Sequence, residues 1–412
     1  MPDTGTVFGM RDADACMRGL AAADDRVRVG PAPPPGFRCV DAYVVLPSLR
    51  RPGMLMPAGS RRGAAAAARQ YLLLPGRKGT AVTSVAAAAL RSGLPQRLGR
   101  SRLGVHVAAG VSEAELPDLV LRHRLAALLE TSEVELVVRV GANRPNGKPV
   151  VQVGDPSGRV LAYAKVGWNE LTRPLVAAEA EALASFAVRP DPPRTFKVSR
   201  LLYALEWQGN TVTVVEPLVG GAPVSAFDPP RDATHELALG GIVTRSTLAE
   251  SDWWGDVRAR ISAVGADLDA AADAIAGEAA ETMLGFGRGH GDWTPWNMRR
   301  LDGRLVVWDW ERSREGVPVG IDAVHYGLLV ALNARRLPPP RAVTDTLERA
   351  PGWLAGLDQP AEAARIMVCL ELLEMSLRYA EARTAGVTLR SDRFDIALHR
   401  LLDLPRDPAP VP

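Results

Sequence analysis

Cysteine is scarce in this chain of 412 residues: Cys16, Cys39 and Cys369 are scattered, with no metal-ligand spacing and no even set to pair. A disulfide framework and a cysteine-rich zinc site are thereby excluded, and a reducing, cytoplasmic setting is expected. The N-terminal run "MPDTGTVFGMRDADACM" has neither a basic start nor an apolar stretch, so no secretion leader is read there. No run approaches the roughly 18 uninterrupted apolar residues of a membrane span. Aromatic residues make up only 5%, which makes the nine tryptophans conspicuous. Acidic residues are missing altogether from Ala42 to Ser112, where eleven Arg and Lys occur.

That excess of one sign sits in a chain of net charge +2, so the remainder is net acidic. A basic stretch can hold an anionic partner. Only Tyr71 is interleaved with these basic residues, which disfavours stacking on nucleic acid. The stretch also lacks a long basic amphipathic helix for a membrane surface. Docking on the acidic remainder of the same chain is the expectation.

Hydrophobic content of 47% suits a buried core, and the length suits two or three packed units. "DAYVVLPS" and "GMLMPAG" read as short strands, "RRGAAAAARQYLLL" and "TSVAAAALRSGL" as helices, and "ELPDLVLRHRLAALLE" as one amphipathic helix. From Val134 the pattern becomes an antiparallel meander: "VELVVRVG", "KPVVQVGD" and "GRVLAYAKVG", separated by turn sequences. A helix follows in "RPLVAAEAEALASFA", then a strand pair in "LLYALEWQGNTVTVVEPL". Beyond "VGGAP" the chain reads as mostly helical, over about 240–283, 321–335, 341–350, 361–384 and 391–403. The expected division is a basic accessory segment 1–112, a β-rich nucleotide-binding lobe 113–218 and a helical catalytic and acceptor lobe 219–412.

Two short runs carry the chemistry. "GHGDWTPWN" (Gly289 to Asn297) is followed by "VVWDWE" (Val306 to Glu311), with "LDGR" between them as a hairpin turn. Phosphoryl transfer needs one carboxylate to orient the attacking hydroxyl, and a second carboxylate plus a carboxamide oxygen to hold magnesium against the phosphates. Asp292, Asn297 and Asp309 supply that set.

This pattern, His-Gly-Asp, four residues, Asn, then a strand-end Asp-Trp-Glu, resembles the aminoglycoside phosphotransferase and choline kinase group, over roughly residues 130–400 in element order. The resemblance implies an α+β, two-lobed protein-kinase-like fold with a β-rich first lobe and a helical second lobe. It implies ATP and Mg2+ as cofactors and transfer of the γ-phosphoryl group to a hydroxyl of a small molecule, such as a sugar or amino alcohol. On the same basis Asp292 is the catalytic base, and Asn297 and Asp309 are the metal ligands. Lys165 in "LAYAKVG" contacts the phosphates, and Glu179 is its ion-pair partner, with Glu181 second by spacing. Backbone groups from Glu216 to Leu218 lie beside the adenine. Asp322 in "GIDAVH" anchors the catalytic loop, and His290 orients that loop rather than binding metal.

The chain also departs from the group. "GANRPNGKP" has only Gly141 and Gly147 where a glycine-rich phosphate loop is expected, and it does not fit a P-loop either. Trp293 and Trp296 replace small residues inside the catalytic loop. Trp293 is expected to face the acceptor, while Trp308, Trp253 and Trp254 are expected to pack. "WERSREGVPVGID" leaves no room for an activation loop of the usual kind, which disfavours protein kinase activity. The alternative is a catalytically inactive, kinase-like nucleotide-binding or regulatory protein; the altered phosphate loop favours it, and the retained Asp292, Asn297 and Asp309 oppose it.

Overall fold

The computed structural model describes residues 17, 19–49, 51–59, 102–140, 147–224, 227–265, 268–360, 362–386 and 393–403. The chain separates into two compact units, Met1–Ala184 with Ser199–Gly220, and Ser185–Val198 with Gly221–Pro412. The architecture is α+β, with strands concentrated in the first unit and helices in the second.

In the first unit one sheet runs in the order β1-β4-β2-β3-β5-β6-β7-β10-β9. Its strands are β1 (Val27–Gly30), β2 (Phe37–Ser48), β3 (Arg51–Pro57), β4 (Arg102–Ala108), β5 (Glu135–Arg139), β6 (Val150–Gly154), β7 (Val160–Gly167), β9 (Leu201–Trp207) and β10 (Asn210–Val215). The expected meander is β5, β6 and β7, paired antiparallel with Val138 opposite Val151 and Val151 opposite Ala164. These runs bury Val138, Val151, Val153, Ala164 and Val166, as strands do when one face packs.

The expected break between residues 112 and 113 is not a structural break. Strand β3 pairs with β5 (Leu55 opposite Val138), so β1 to β4 extend the same sheet as the meander. Charge had marked the segment off, but membership of a sheet is decided by apolar alternation and open backbone edges. The two alanine-rich helices and most of the basic residues expected between 60 and 101 lie outside the described residues. So does "ANRPNG" up to residue 146.

The amphipathic helix expected over 115–130 is instead two, α1 (Leu116–Leu119) and α2 (Leu121–Leu128). Val120 between them is extended, at φ −137 and ψ 120, and forms a β-bridge with Ala21. A β-branched residue gives up helix at little cost when an edge partner is at hand. Helix α3 (Thr172–Ala187) follows β7, and its last turn from Ser185 belongs with the second unit.

The first strand of the second unit is β8 (Phe196–Val198), which pairs parallel with β15 (Arg304–Val307). A four-stranded sheet runs in the order β11-β14-β15-β8, where β11 is Ala222–Pro223 and β14 is Met298–Leu301. A three-stranded sheet runs β12-β13-β16, from β12 (Thr244–Ser246), β13 (Leu284–Gly289) and β16 (Arg314–Pro318). Helices α4 (Arg231–Leu239), α5 (Asp252–Val264), α6 (Asp269–Glu278), α7 (Ile321–Leu329), α8 (Pro339–Leu354), α9 (Ala363–Thr384) and α10 (Arg393–Leu402) complete it. Its core is built largely from α5, α7 and α9 around Ile261, Val324, Leu328, Val368 and Leu372. Sequence patterning missed β13, whose "LGFGRG" is too rich in glycine to read as a strand.

Among the described residues no helix is long and apolar enough to cross a membrane.

Candidate functional site

Strand β13 delivers the loop that holds Asp292, and the first turn of α7 pins it. Asp322 Oδ2 accepts the His290 N–H at 2.6 Å and Oδ1 accepts the Gly291 N–H at 3.0 Å. Asp322 is therefore an anchor of the loop. Gly291 has φ +75, and a Cβ there would stand 2.6 Å from the Arg312 carbonyl oxygen, so only glycine fits.

His290 is fully buried. Its Nδ1 accepts the Asp292 N–H at 3.1 Å, so Nε2 carries the proton and donates to the Trp308 carbonyl at 3.1 Å. Burial pushes its pKa down despite the carboxylates of Asp322, Asp292 and Asp309 nearby. A neutral ring with both nitrogens committed orients the loop and has no nitrogen left for a metal.

The hairpin expected at "LDGR" forms, with Asp302 at φ 51 and Gly303 at φ 78, both left-handed as a two-residue β-turn requires. Its register sets Met298 opposite Val307, and the Trp308 N–H donates to the Asn297 carbonyl at 3.2 Å. Asn297 and Asp309 thus sit side by side at the open end of the hairpin. Asp309 itself is left-handed, at φ 72 and ψ 49, a conformation that costs a non-glycine residue energy and recurs at functional sites.

Asn297 Nδ2 donates to the Asp292 side chain at 2.8 Å and to its backbone carbonyl at 3.0 Å. Both bonds use the amide nitrogen rather than Oδ1. The other Asp292 oxygen lies 3.2 Å from His325 Nε2, and His325 Nδ1 lies 2.7 Å from Glu371 Oε1. Asp292 keeps a third of its side chain exposed, whereas His325 and Glu371 are buried.

Burial alone would make His325 neutral. The Glu371 carboxylate and then Asp292 reverse that, and the ring is raised to about 10. At neutral pH an imidazolium therefore bridges two carboxylates. Burial alone would raise the Asp292 carboxyl; the His325 hydrogen bond and charge hold it below the usual range instead. Because the folded pKa of His325 exceeds its unfolded value of 6.5, its stabilising contribution is complete below about pH 6.5 and is lost as pH rises through about 10. Thermal unfolding of wild type and Glu371→Gln at pH steps from 6 to 10.5 should show a shallower alkaline decline in the variant. Parallel declines would refute the bridge.

A second layer supports the loop from α9. Arg378 donates to the Gly291 carbonyl at 2.7 Å and to Glu374 at 2.7 Å. Arg260 on α5 spans Glu374 at 2.9 Å and Glu381 at 2.7 Å. Burial opposes ionisation of Glu374, but the charges of Arg378 and Arg260 dominate and lower its pKa to about 2.

In the first unit, Lys165 on β7 and Glu179 on α3 form an ion pair at 2.6–2.7 Å, both largely buried at 15% and 5% side-chain exposure. Glu181 is exposed on the same helix. The i to i+2 step turns it away, which separates the two candidates. After β10, the Glu216 N–H is spent on the Arg200 carbonyl at 2.9 Å, and its carboxylate pairs with Arg200 at 3.3 Å. Pro217, next in the chain, has no N–H to donate.

One expectation about the tryptophans is corrected. Trp293 is buried, donates to Thr234 Oγ1 at 2.9 Å and meets Phe196 edge-on, so it packs beneath the loop instead of facing an acceptor. Its place after Asp292 puts it on the inner side of the turn. Trp253 and Trp254 are buried on α5, Trp308 is half-buried, and Trp296 is 45% exposed.

His325, Glu371, Glu374 and Arg378 went unread in the sequence. The signal available was two glutamates in the apolar stretch "RIMVCLELLEMSL" of α9, since a carboxylate on a buried helix face needs a cation.

Over two thirds of its length the chain is similar to small-molecule kinases. It matches a choline/ethanolamine kinase family protein from Mesorhizobium loti at 16% identity, covering 65% of this chain and 88% of that one, with a TM-score of 0.43. It matches LicA in complex with AMP at 14% identity, covering 68% and 96%, with a TM-score of 0.45. It also matches a thermostable aminoglycoside phosphotransferase APH(4)-Ia bound to ADP and hygromycin B, at 13% identity, covering 68% and 98%, with a TM-score of 0.41. No family model matches the chain, and no curated protein matches it by sequence.

Proposed function

We propose that this protein transfers the γ-phosphoryl group of ATP to a hydroxyl of a small molecule. The observation that carries this reading is the loop and hairpin that join Asp292, Asn297 and Asp309 at one place, each with a different chemical assignment. Lys165, neutralised by Glu179, is the phosphate contact of the first unit, and the Glu216 carbonyl and Leu218 N–H take the adenine.

Asn297 Oδ1 and the Asp309 carboxylate are hard oxygen donors of the kind magnesium prefers. When bound, the ion neutralises phosphate charge. Asp292 accepts a hydrogen bond from the acceptor hydroxyl and aims it. The oxygen–phosphorus bond to the acceptor forms as the bond to the ADP oxygen breaks, and the hydroxyl proton passes to Asp292 and on to solvent. A carboxylate held acidic by His325 suits this role, because a loose phosphoryl-transfer transition state asks for proton removal late and for orientation early.

Turnover of Mg-ATP by the full chain over a panel of sugars, amino alcohols, hydroxy acids and nucleosides tests the proposal. Mg-ATP binding without transfer or hydrolysis would identify an inactive nucleotide-binding protein instead. Asp309→Ala should abolish the magnesium dependence of ATP affinity, read by titrating ATP with and without Mg2+ against both proteins. Equal ATP affinity of wild type with and without a divalent ion would remove the metal assignment.

A further inference from the structure

A small cavity in the second unit lies against the catalytic loop. Its walls include Gly291, Asp322, His325, Arg312, Arg378 and Glu374, and its volume is about 30 Å3. That is room for two or three water-sized groups, given that roughly 10–15 Å3 accommodates one. Two of its lining residues adjoin Asp292: His325 lies 3.2 Å from its carboxylate, and Gly291 precedes it in the chain.

The walls are rich in charge, and the bonds of those charges can be traced. Asp322 is engaged by the His290 and Gly291 amides. Glu371 is engaged by His325, and Glu374 by Arg260 and Arg378. Arg378 is held by Glu374 and the Gly291 carbonyl, and Arg314 by Asp256 at 2.9 Å. Arg312 stands apart: it has no hydrogen-bond or ion-pair partner among the described residues. Glu311, Glu374 and Asp292 attract it only through space, while burial and the charge of Arg378 disfavour its protonated form. A guanidinium with five donors, partly desolvated and left without an acceptor, is costly unless a ligand supplies one.

We propose that the acceptor carries one anionic group, a carboxylate or a phosphate, which Arg312 receives in this cavity while the hydroxyl lies at Asp292. The inference rests on the kinase reading and narrows it to hydroxy acids or phosphorylated alcohols. The same tracing offers a cationic group no open carboxylate in this cavity, since Asp322, Glu371 and Glu374 each already have a protein partner. The cavity is the size of an anionic head group, with the rest of the acceptor outside it.

Two measurements on the full chain decide the matter. The first needs no turnover: inorganic phosphate or acetate is titrated during thermal unfolding of wild type, Arg312→Gln and Arg312→Lys. A saturable rise in midpoint is expected in wild type, weaker in Arg312→Lys and absent in Arg312→Gln, with the two anions distinguishing phosphate from carboxylate. The second compares kcat/KM for glycerate against glyceramide and for glucose 6-phosphate against glucose, with glucosamine as the cation. The anionic member of the favoured pair should lead by roughly 10- to 100-fold, the scale of one charge-assisted contact, and Arg312→Gln should collapse that ratio. No midpoint shift with either anion, an equal shift in Arg312→Gln, or preference for a neutral or cationic acceptor would overturn the inference. Failure of the kinase reading shows separately, as Mg-ATP that is neither transferred nor hydrolysed. If Arg312→Gln does not fold, the wild-type ratios and Arg312→Lys still decide.

Discussion

Asp292→Asn should lower the rate of phosphoryl transfer by roughly 10²–10⁴-fold, the range for loss of a positioned general base. The expected reason lies in the two contacts of the side chain. An asparagine keeps the shape, can still accept from His325 through its amide oxygen and leaves the Asn297 bond to the backbone carbonyl of residue 292 in place, so the loop stays in position. It cannot take the hydroxyl proton, and it removes the charge that aims the nucleophile. Mg-ATP affinity should therefore change little, because no nucleotide contact is assigned to Asp292. Single-turnover transfer and a nucleotide titration on the same preparation separate the two effects. Wild-type transfer by the variant would remove Asp292 from the mechanism.

Glu374→Ala should be the most damaging change to stability among the charged residues described. Glu374 is buried between Arg260 and Arg378, and its removal leaves two guanidinium groups without their shared partner. Breaking a buried pair from one side costs about 3–5 kcal/mol, enough to lower the melting midpoint of the second unit by many degrees. Its folded pKa of about 2 lies below the unfolded 4.5. The stabilisation is therefore complete above about pH 4.5 and is lost as pH falls through about 2. Glu374→Gln should abolish that acid dependence, read from midpoints between pH 2 and 6. A variant as stable as wild type at pH 7 would mean that Arg260 and Arg378 find other acceptors.

What the sequence made legible divides along physical lines. The strands β5, β6, β7, β9 and β10 were readable because alternation and turn residues act locally, and so was the hairpin at Asp302 and Gly303. The arrangement of Asp292, Asn297 and Asp309 was readable because all three lie within one loop and one hairpin. The bridge from Asp292 through His325 to Glu371 was not, because α9 reaches the loop only through tertiary packing. Nor was the burial of Trp293, since its neighbours Thr234 and Phe196 are remote in sequence. The membership of β1 to β4 in the sheet was obscured by charge, a property of surfaces that says nothing about backbone pairing.

The parallel pairing of β8 with β15 has a consequence for how the chain assembles. Phe196 pairs opposite Leu305, and its ring stacks on Trp310 and meets Trp293. During synthesis β8 emerges more than a hundred residues ahead of its partner. At about 5–20 residues per second it waits several seconds or longer with an unpaired edge and an exposed phenylalanine. The hairpin carrying Asp309 then docks onto a strand that is already present. A fragment beginning at Gly221 would lack that strand, so the second unit should not fold from its contiguous portion alone.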